Sequence, residues 1–139
     1  MDDCIFCKIV KGEIPCYKIY EDDMTIAFLD IANDIEGHTL VVPKKHFKNV
    51  LDCDSEYLSA VISVVKKIGQ HYLKCGYDGF NIVSCNNKSE EQSVFHLHFH
   101  IMPRKEGDNV KVYPTLNGSS KTLEEVRNLL KMEEWYEKI

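Results

Sequence analysis

The chain has 139 residues, 44% of them hydrophobic and 28% charged, and a formal net charge of −5, the proportions of a globular domain rather than of a disordered or fibrous chain. The surplus of Asp and Glu excludes bulk nucleic acid as the partner, because neutralising phosphates needs an excess of Lys and Arg. No stretch approaches the about 18 apolar residues of a membrane helix. The length suits a single domain, 1–139. The acidic start, Met1-Asp2-Asp3-Cys4, lacks the basic-then-apolar order of a secretory signal, so a reducing, cytoplasmic location is expected.

Cys4 to Lys11 is a short apolar opening dotted with lysines and closed by Gly12 and Pro15. Tyr17 to Glu21 and Met24 to Asp30 read as two strands joined through Asp22-Asp23. Thr39 to Val42 is a third strand, β-branched and stopped by Pro43. From Ser55 to Lys74 the period changes. Leu58, Val61, Ile62, Val65, Ile68, Tyr72 and Leu73 recur at helical spacing, with Asp54 placed to cap the start and Gly76 to end the helix. Phe80 to Cys85 and Val94 to Met102 are the fourth and fifth strands, separated by a polar loop. Thr122-Leu123-Glu124-Glu125 opens a last helix with a capping box. The expected class is α+β, a five-stranded antiparallel meander with one long helix packed on it and a C-terminal helix.

His96, His98 and His100 alternate with Leu97, Phe99 and Ile101. On a strand this puts three imidazoles on one face and three apolar groups on the other. Three aligned histidines are costly to bury unless they are paired or used. They could be the polar face of a half-exposed strand, or three ligands converging on one metal. The six cysteines are unevenly spaced, which favours metal ligation by Cys4 and Cys7 over a disulfide framework. Cys16, Cys53, Cys75 and Cys85 read as ordinary small core or surface residues.

The run Gln92-Ser93-Val94-Phe95-His96-Leu97-His98-Phe99-His100-Ile101-Met102 resembles the signature of the histidine triad (HIT) superfamily. Cys4-Ile5-Phe6-Cys7, Gly12-Glu13-Ile14-Pro15, Ala27-Phe28-Leu29-Asp30 and Gly37-His38-Thr39-Leu40-Val41-Val42-Pro43-Lys44-Lys45-His46 match further family segments in order. The resemblance spans residues 4–104, leaving 105–139 as an extension without an assignable signature. It implies a zinc-containing hydrolase of the bacterial type that binds purine nucleotides and pairs as a homodimer through the long helix and an adjacent strand. By resemblance, His98 attacks the α-phosphorus of a nucleotide conjugate to give a nucleotidyl-histidine that water then hydrolyses. His100 and Ser93 attend the phosphate and the leaving group. The related uridylyltransferase branch carries glutamine at the position of His100, so hydrolysis is expected rather than transfer.

The nucleotide-binding positions carried over are Ile5, Phe6, Ile9, Phe28 and Ile31 around the base, Asp30 at the ribose, and His38, Gln92 and Ser93 with His98 and His100 nearer the phosphate; Asn86 or Asn87 is expected to stand in for the family's asparagine at position 85. Cys4, Cys7, His46 and His96 match the ligands of a structural Zn²⁺ site, which leaves His98 and His100 for chemistry. Two positions depart from the pattern. Glu90-Glu91 precede Gln92 where relatives have glycine, and Cys85 stands where an asparagine is usual. These leave two substrate classes open, phosphoramidates and dinucleoside polyphosphates. A nucleotide-binding scaffold with incidental hydrolysis is the competing reading.

Overall fold

The computed structural model describes residues 3–88 and 94–132. The chain forms two compact units, Met1–Asn109 and Val110–Ile139. In the first, α1 (Ile5–Val10) is followed by β1 (Lys18–Glu21), β2 (Thr25–Leu29), β3 (Thr39–Pro43), α2 (Ser55–Lys74), β4 (Gly79–Val83) and β5 (Phe99–Arg104). The second contains α3 (Leu123–Leu130), whose Thr122 and Glu125 form the expected capping box. Among the described residues, no helix is long and apolar enough to cross a membrane.

The first hairpin turns on Asp22, whose Oδ1 accepts hydrogen bonds from the backbone N–H groups of Met24 and Thr25, each at 2.9 Å. Helix α2 has the expected ends. Asp54 Oδ1 accepts from the Tyr57 N–H at 3.0 Å, and Gly76 takes a φ of 99° beyond the last turn. Its buried stripe differs in part from the expected one. Val61, Val65, Ile68 and Tyr72 are buried, joined by Val64 and Gly69, whereas Ile62 and Leu73 are about half exposed. Gly69 has a packing reason: a Cβ there would stand 2.3 Å from the Phe80 ring of β4. Glycine lets helix and strand approach closely.

The five strands are antiparallel, in the order β1-β2-β3-β5-β4. This corrects the expected strict meander. The chain leaves β3 through α2, crosses to the far edge for β4, and returns as β5 between β3 and β4. Each face of the sheet carries a buried cluster. Ala27, Val41, Leu97, Phe99 and Ile101 share one buried cluster with the α2 stripe. Ile26, Phe28, Leu40 and Val42 form a second cluster with Phe6 of α1. Adjacent residues of β2 and β3 fall in opposite clusters, as the period of two requires.

The histidine segment departs from its expected boundaries. Pairing between β3 and β5 runs through Thr39↔Ile101, Leu40↔His100 and Val41↔Phe99, and β5 begins only at Phe99. Continuing that register would set Leu97 opposite Pro43, which has no N–H for the Leu97 carbonyl and whose own carbonyl already accepts from His96 Nε2 at 2.9 Å. The Leu97 N–H instead bonds to the Phe47 carbonyl at 2.7 Å. His96, at the end of a bend, and His98 therefore precede β5, outside the ladder.

Candidate functional site

The second cluster forms the wall of a cavity of about 530 Å³ lined by Ile5, Phe6 and Ile9 of α1, the Ile14–Tyr17 segment, Phe28 to Ile31, Leu40, Val94, His98 and His100. That volume falls within the range for small-molecule sites, and the lining is apolar apart from a few convergent polar groups. Phe6 meets Phe28 edge-on with ring centroids 5.6 Å apart, and Ile31 is 85% exposed at the rim. Asp30 closes β2 in two ways: its Oδ1 accepts from the Ala32 N–H at 2.9 Å, and it lines the cavity.

His98 is buried, and its Nδ1 lies 2.8 Å from the His96 carbonyl oxygen. A carbonyl only accepts, so Nδ1 carries the proton and Nε2 is left as a lone pair. Burial also pushes the His98 pKa below its ordinary value, against the opposing pull of that hydrogen bond and of Asp30. The ring is held as a neutral base. His100 packs against His98 with ring centroids 4.9 Å apart, and is pushed down to about 4 by burial and by the facing His98 and His38. Behind it, His38 Nε2 lies 2.9 Å from His100 Nδ1.

His96 turns to a different task. Its Nε2 donates to the Pro43 carbonyl at 2.9 Å, so its Nδ1 presents a lone pair toward Cys4 Sγ at 3.3 Å and Cys7 Sγ at 3.5 Å. His46 Nδ1 lies 3.2 Å from Cys7 Sγ, and the four donor atoms all lie within 4.8 Å of one another. A tetrahedral zinc with its usual Zn–S and Zn–N lengths needs S···N edges of about 3.5 Å. The cluster fits such an ion. Burial and the adjoining Cys4 push the Cys7 thiol up to about 11. The His96 bond to Pro43 is the outer-shell partner that fixes a ligating imidazole. Phe6, edge-on to His96 at 5.9 Å and to His98 at 5.2 Å, stands between the cluster and the cavity.

The structure thus brings Ile5, Phe6, Ile9, Phe28, Asp30, Ile31, His98 and His100 to one cavity, with His38 in the layer behind it. Asn86 does not line that cavity. Its Oδ1 accepts from the Val50 N–H at 2.9 Å, and its amide turns back on Ser84. Gln92, Ser93 and the Glu90-Glu91 pair lie outside the described residues. The sequence reading missed Ile14, Pro15, Cys16, Tyr17, Leu29, Leu40 and Val94, which lie on neighbouring turns and strands. It also missed Asp34, whose Oδ1 is 2.7 Å from His38 Nδ1.

Comparison with known proteins places this geometry in a family. A family model described as the HIT domain matches residues 11–107. A HIT-like protein of Methanocaldococcus jannaschii is 50% identical over 105 residues, covering 76% of this chain and 81% of its own. An adenosine 5'-monophosphoramidase of Schizosaccharomyces pombe is 42% identical over 101 residues, covering 73% and 74%. Among solved structures, a zinc-bound histidine triad family protein from Mycobacterium smegmatis is 36% identical with a TM-score of 0.76, covering 80% and 81%. The match holds across most of the sequence, and the similarity extends to a solved histidine triad structure: the chain belongs to the HIT family.

Proposed function

We propose that the protein hydrolyses a purine nucleotide conjugate at its α-phosphorus through a nucleotidyl-histidine on His98. One observation carries this reading: an imidazole with its Nδ1 already committed to the His96 carbonyl sits on the wall of a cavity of about 530 Å³. The apolar floor formed by Phe6, Phe28 and Ile9 suits a flat base, and Asp30 is the acceptor available to ribose hydroxyls. After attack, the His98 ring retains its Nδ1 proton and becomes a cationic, readily displaced leaving group for water. A relative at 42% identity named as an adenosine 5'-monophosphoramidase supports adenosine as the nucleoside and a phosphoramidate as the conjugate. Dinucleoside polyphosphates are the second class to compare.

Zinc belongs to the same proposal as a structural ion held by Cys4, Cys7, His46 and His96. Bound there, it neutralises the thiolates and pins α1, with Ile5 and Phe6, against the histidine segment. His96 is then spent on the metal, and the cavity keeps His98 and His100. The homodimer also remains a proposal. Ile62 and Leu73 are exposed on α2, and Ile82 on edge strand β4. Ile82 stands two residues from Phe80, whose ring meets α2 at Gly69, so it lies on the α2 side of the sheet. Together they offer an apolar flank for a second copy.

Three measurements test these parts. Rapid quench with labelled adenosine phosphoramidate should trap label on the wild-type protein. His98→Ala should trap none and lose at least roughly a thousandfold in turnover; hydrolysis at the wild-type rate by that variant overturns the mechanism. Metal analysis should find about one zinc per chain, retained in His98→Ala and lost in Cys4→Ser, and the reverse pattern would assign the metal to the triad itself. Sedimentation velocity should show a dimer that Ile62→Glu converts to monomer, and a wild-type monomer would remove that part of the proposal.

A further inference from the structure

His38 joins two things that the proposed reaction leaves unconnected. On one side its Nε2 is 2.9 Å from His100 Nδ1; on the other its Nδ1 is 2.7 Å from Asp34 Oδ1. The His38 ring is buried at 7% exposure, whereas the Asp34 side chain is 62% exposed and so hydrated. Asp30 Oδ2, at 3.7 Å from His38 Nε2, puts a second carboxylate on the other flank of the ring. An unbroken line of hydrogen bonds runs from a surface carboxylate through two imidazoles to the cavity wall.

The turn that makes this line is tightly held. The Asp30 N–H bonds to the His38 carbonyl at 2.8 Å and the His38 N–H to the Ile35 carbonyl at 3.2 Å, closing the loop between β2 and β3. Gly37 takes a φ of 82°, and a Cβ there would stand 2.7 Å from Pro103 Cγ. The Gly37 carbonyl accepts from the Thr39 hydroxyl at 2.8 Å, and Tyr72 of α2 donates to Thr39 Oγ1 at 2.8 Å. Asp34 is therefore presented to His38 by a turn anchored to both the sheet and α2.

The geometry points to Asp34 as a positioning residue of a carboxylate–imidazole–imidazole proton relay that lets His100 protonate a nitrogen leaving group. The inference rests on the proposed hydrolysis and names how its departing amine is served. Asp34 accepts the Nδ1–H of His38, and the relay runs from the form of His38 whose Nε2 also carries a proton and points it at His100 Nδ1. His100 then carries its own proton on Nε2, the nitrogen not engaged by His38. When His98 Nε2 bonds to phosphorus, the P–N bond breaks, its electron pair stays on the leaving nitrogen, and that nitrogen takes the proton from His100 Nε2. His100 Nδ1 takes the proton from His38 Nε2, leaving His38 neutral. In the second half water gives a proton to His100 Nε2, and the His100 Nδ1 proton returns to His38. The water oxygen bonds to phosphorus as the bond to His98 breaks, and every group regains its starting state.

A relay of this kind serves only a leaving group that needs a proton. The test is the single-turnover rate of label transfer to the zinc-loaded protein from two substrates: an adenosine phosphoramidate with an alkylamine leaving group, and adenosine 5'-(4-nitrophenyl) phosphate, whose phenolate leaves unprotonated. Asp34→Asn should slow the first by at least roughly tenfold and leave the second within about twofold, with Asp34→Glu restoring part of the loss. An equal fall on both substrates would mean that Asp34 acts only on the fold of the turn, and an unchanged amidate rate would mean it does not act; either overturns the relay. If wild type transfers label from neither substrate, the underlying hydrolase reading fails as well. Transfer without discrimination in Asp34→Asn sinks the relay alone.

Discussion

The chemistry proposed for this chain depends on the hydrogen bond from His98 Nδ1 to the carbonyl of His96, two residues back at 2.8 Å. A buried imidazole N–H left unpaired costs about 1–3 kcal/mol, which is roughly a five- to 150-fold preference for the tautomer that finds a partner. The bond is possible because the backbone has already left the sheet. The β3–β5 ladder stops at Val41↔Phe99, two residues before Pro43, and Leu97 turns to the Phe47 carbonyl.

The same Pro43 orients the neighbouring ring. Its carbonyl receives the His96 Nε2–H, which turns His96 Nδ1 toward Cys4 and Cys7. Three histidines that share a face by sequence spacing are separated by their partners: His96 faces the thiol cluster, His98 has a free nitrogen at the cavity, and His100 backs onto His38. Phe6 touches both His96 and His98. Anything that displaces α1 from the thiol cluster also displaces part of the cavity floor, so metal ligation and base binding share one element.

Much of this was legible in the sequence where the signal is local. Asp54, the helical period and Gly76 define α2 at Ser55–Lys74, and Thr122 with Glu125 caps α3. The alternation through residues 96–101 placed the imidazoles opposite the apolar residues even though the ladder starts late, because an extended chain alternates whether or not it is paired. The strand order was not legible, since the choice of β5 rather than β4 as the neighbour of β3 is a long-range pairing. Ile62 and Leu73 were assigned to the buried stripe by period alone, while Gly69 was passed over because its contribution is the space it leaves for Phe80. The family resemblance supplied the cavity residues scattered over α1, β2 and the histidine segment. It could not supply Asp34, whose part depends on a turn folding back over four residues, nor the engagement of Asn86 with Val50.

The tautomer of His98 is the most direct point of test. Nitrogen NMR of the ¹⁵N-histidine-labelled, zinc-loaded protein, with the His98 signals assigned by their loss in His98→Ala, reads the protonation of each ring nitrogen. The account predicts that at neutral pH His98 carries its single proton on Nδ1 and shows an unprotonated, unmetallated Nε2. A His98 protonated on Nε2, doubly protonated, or bound to the metal would contradict it.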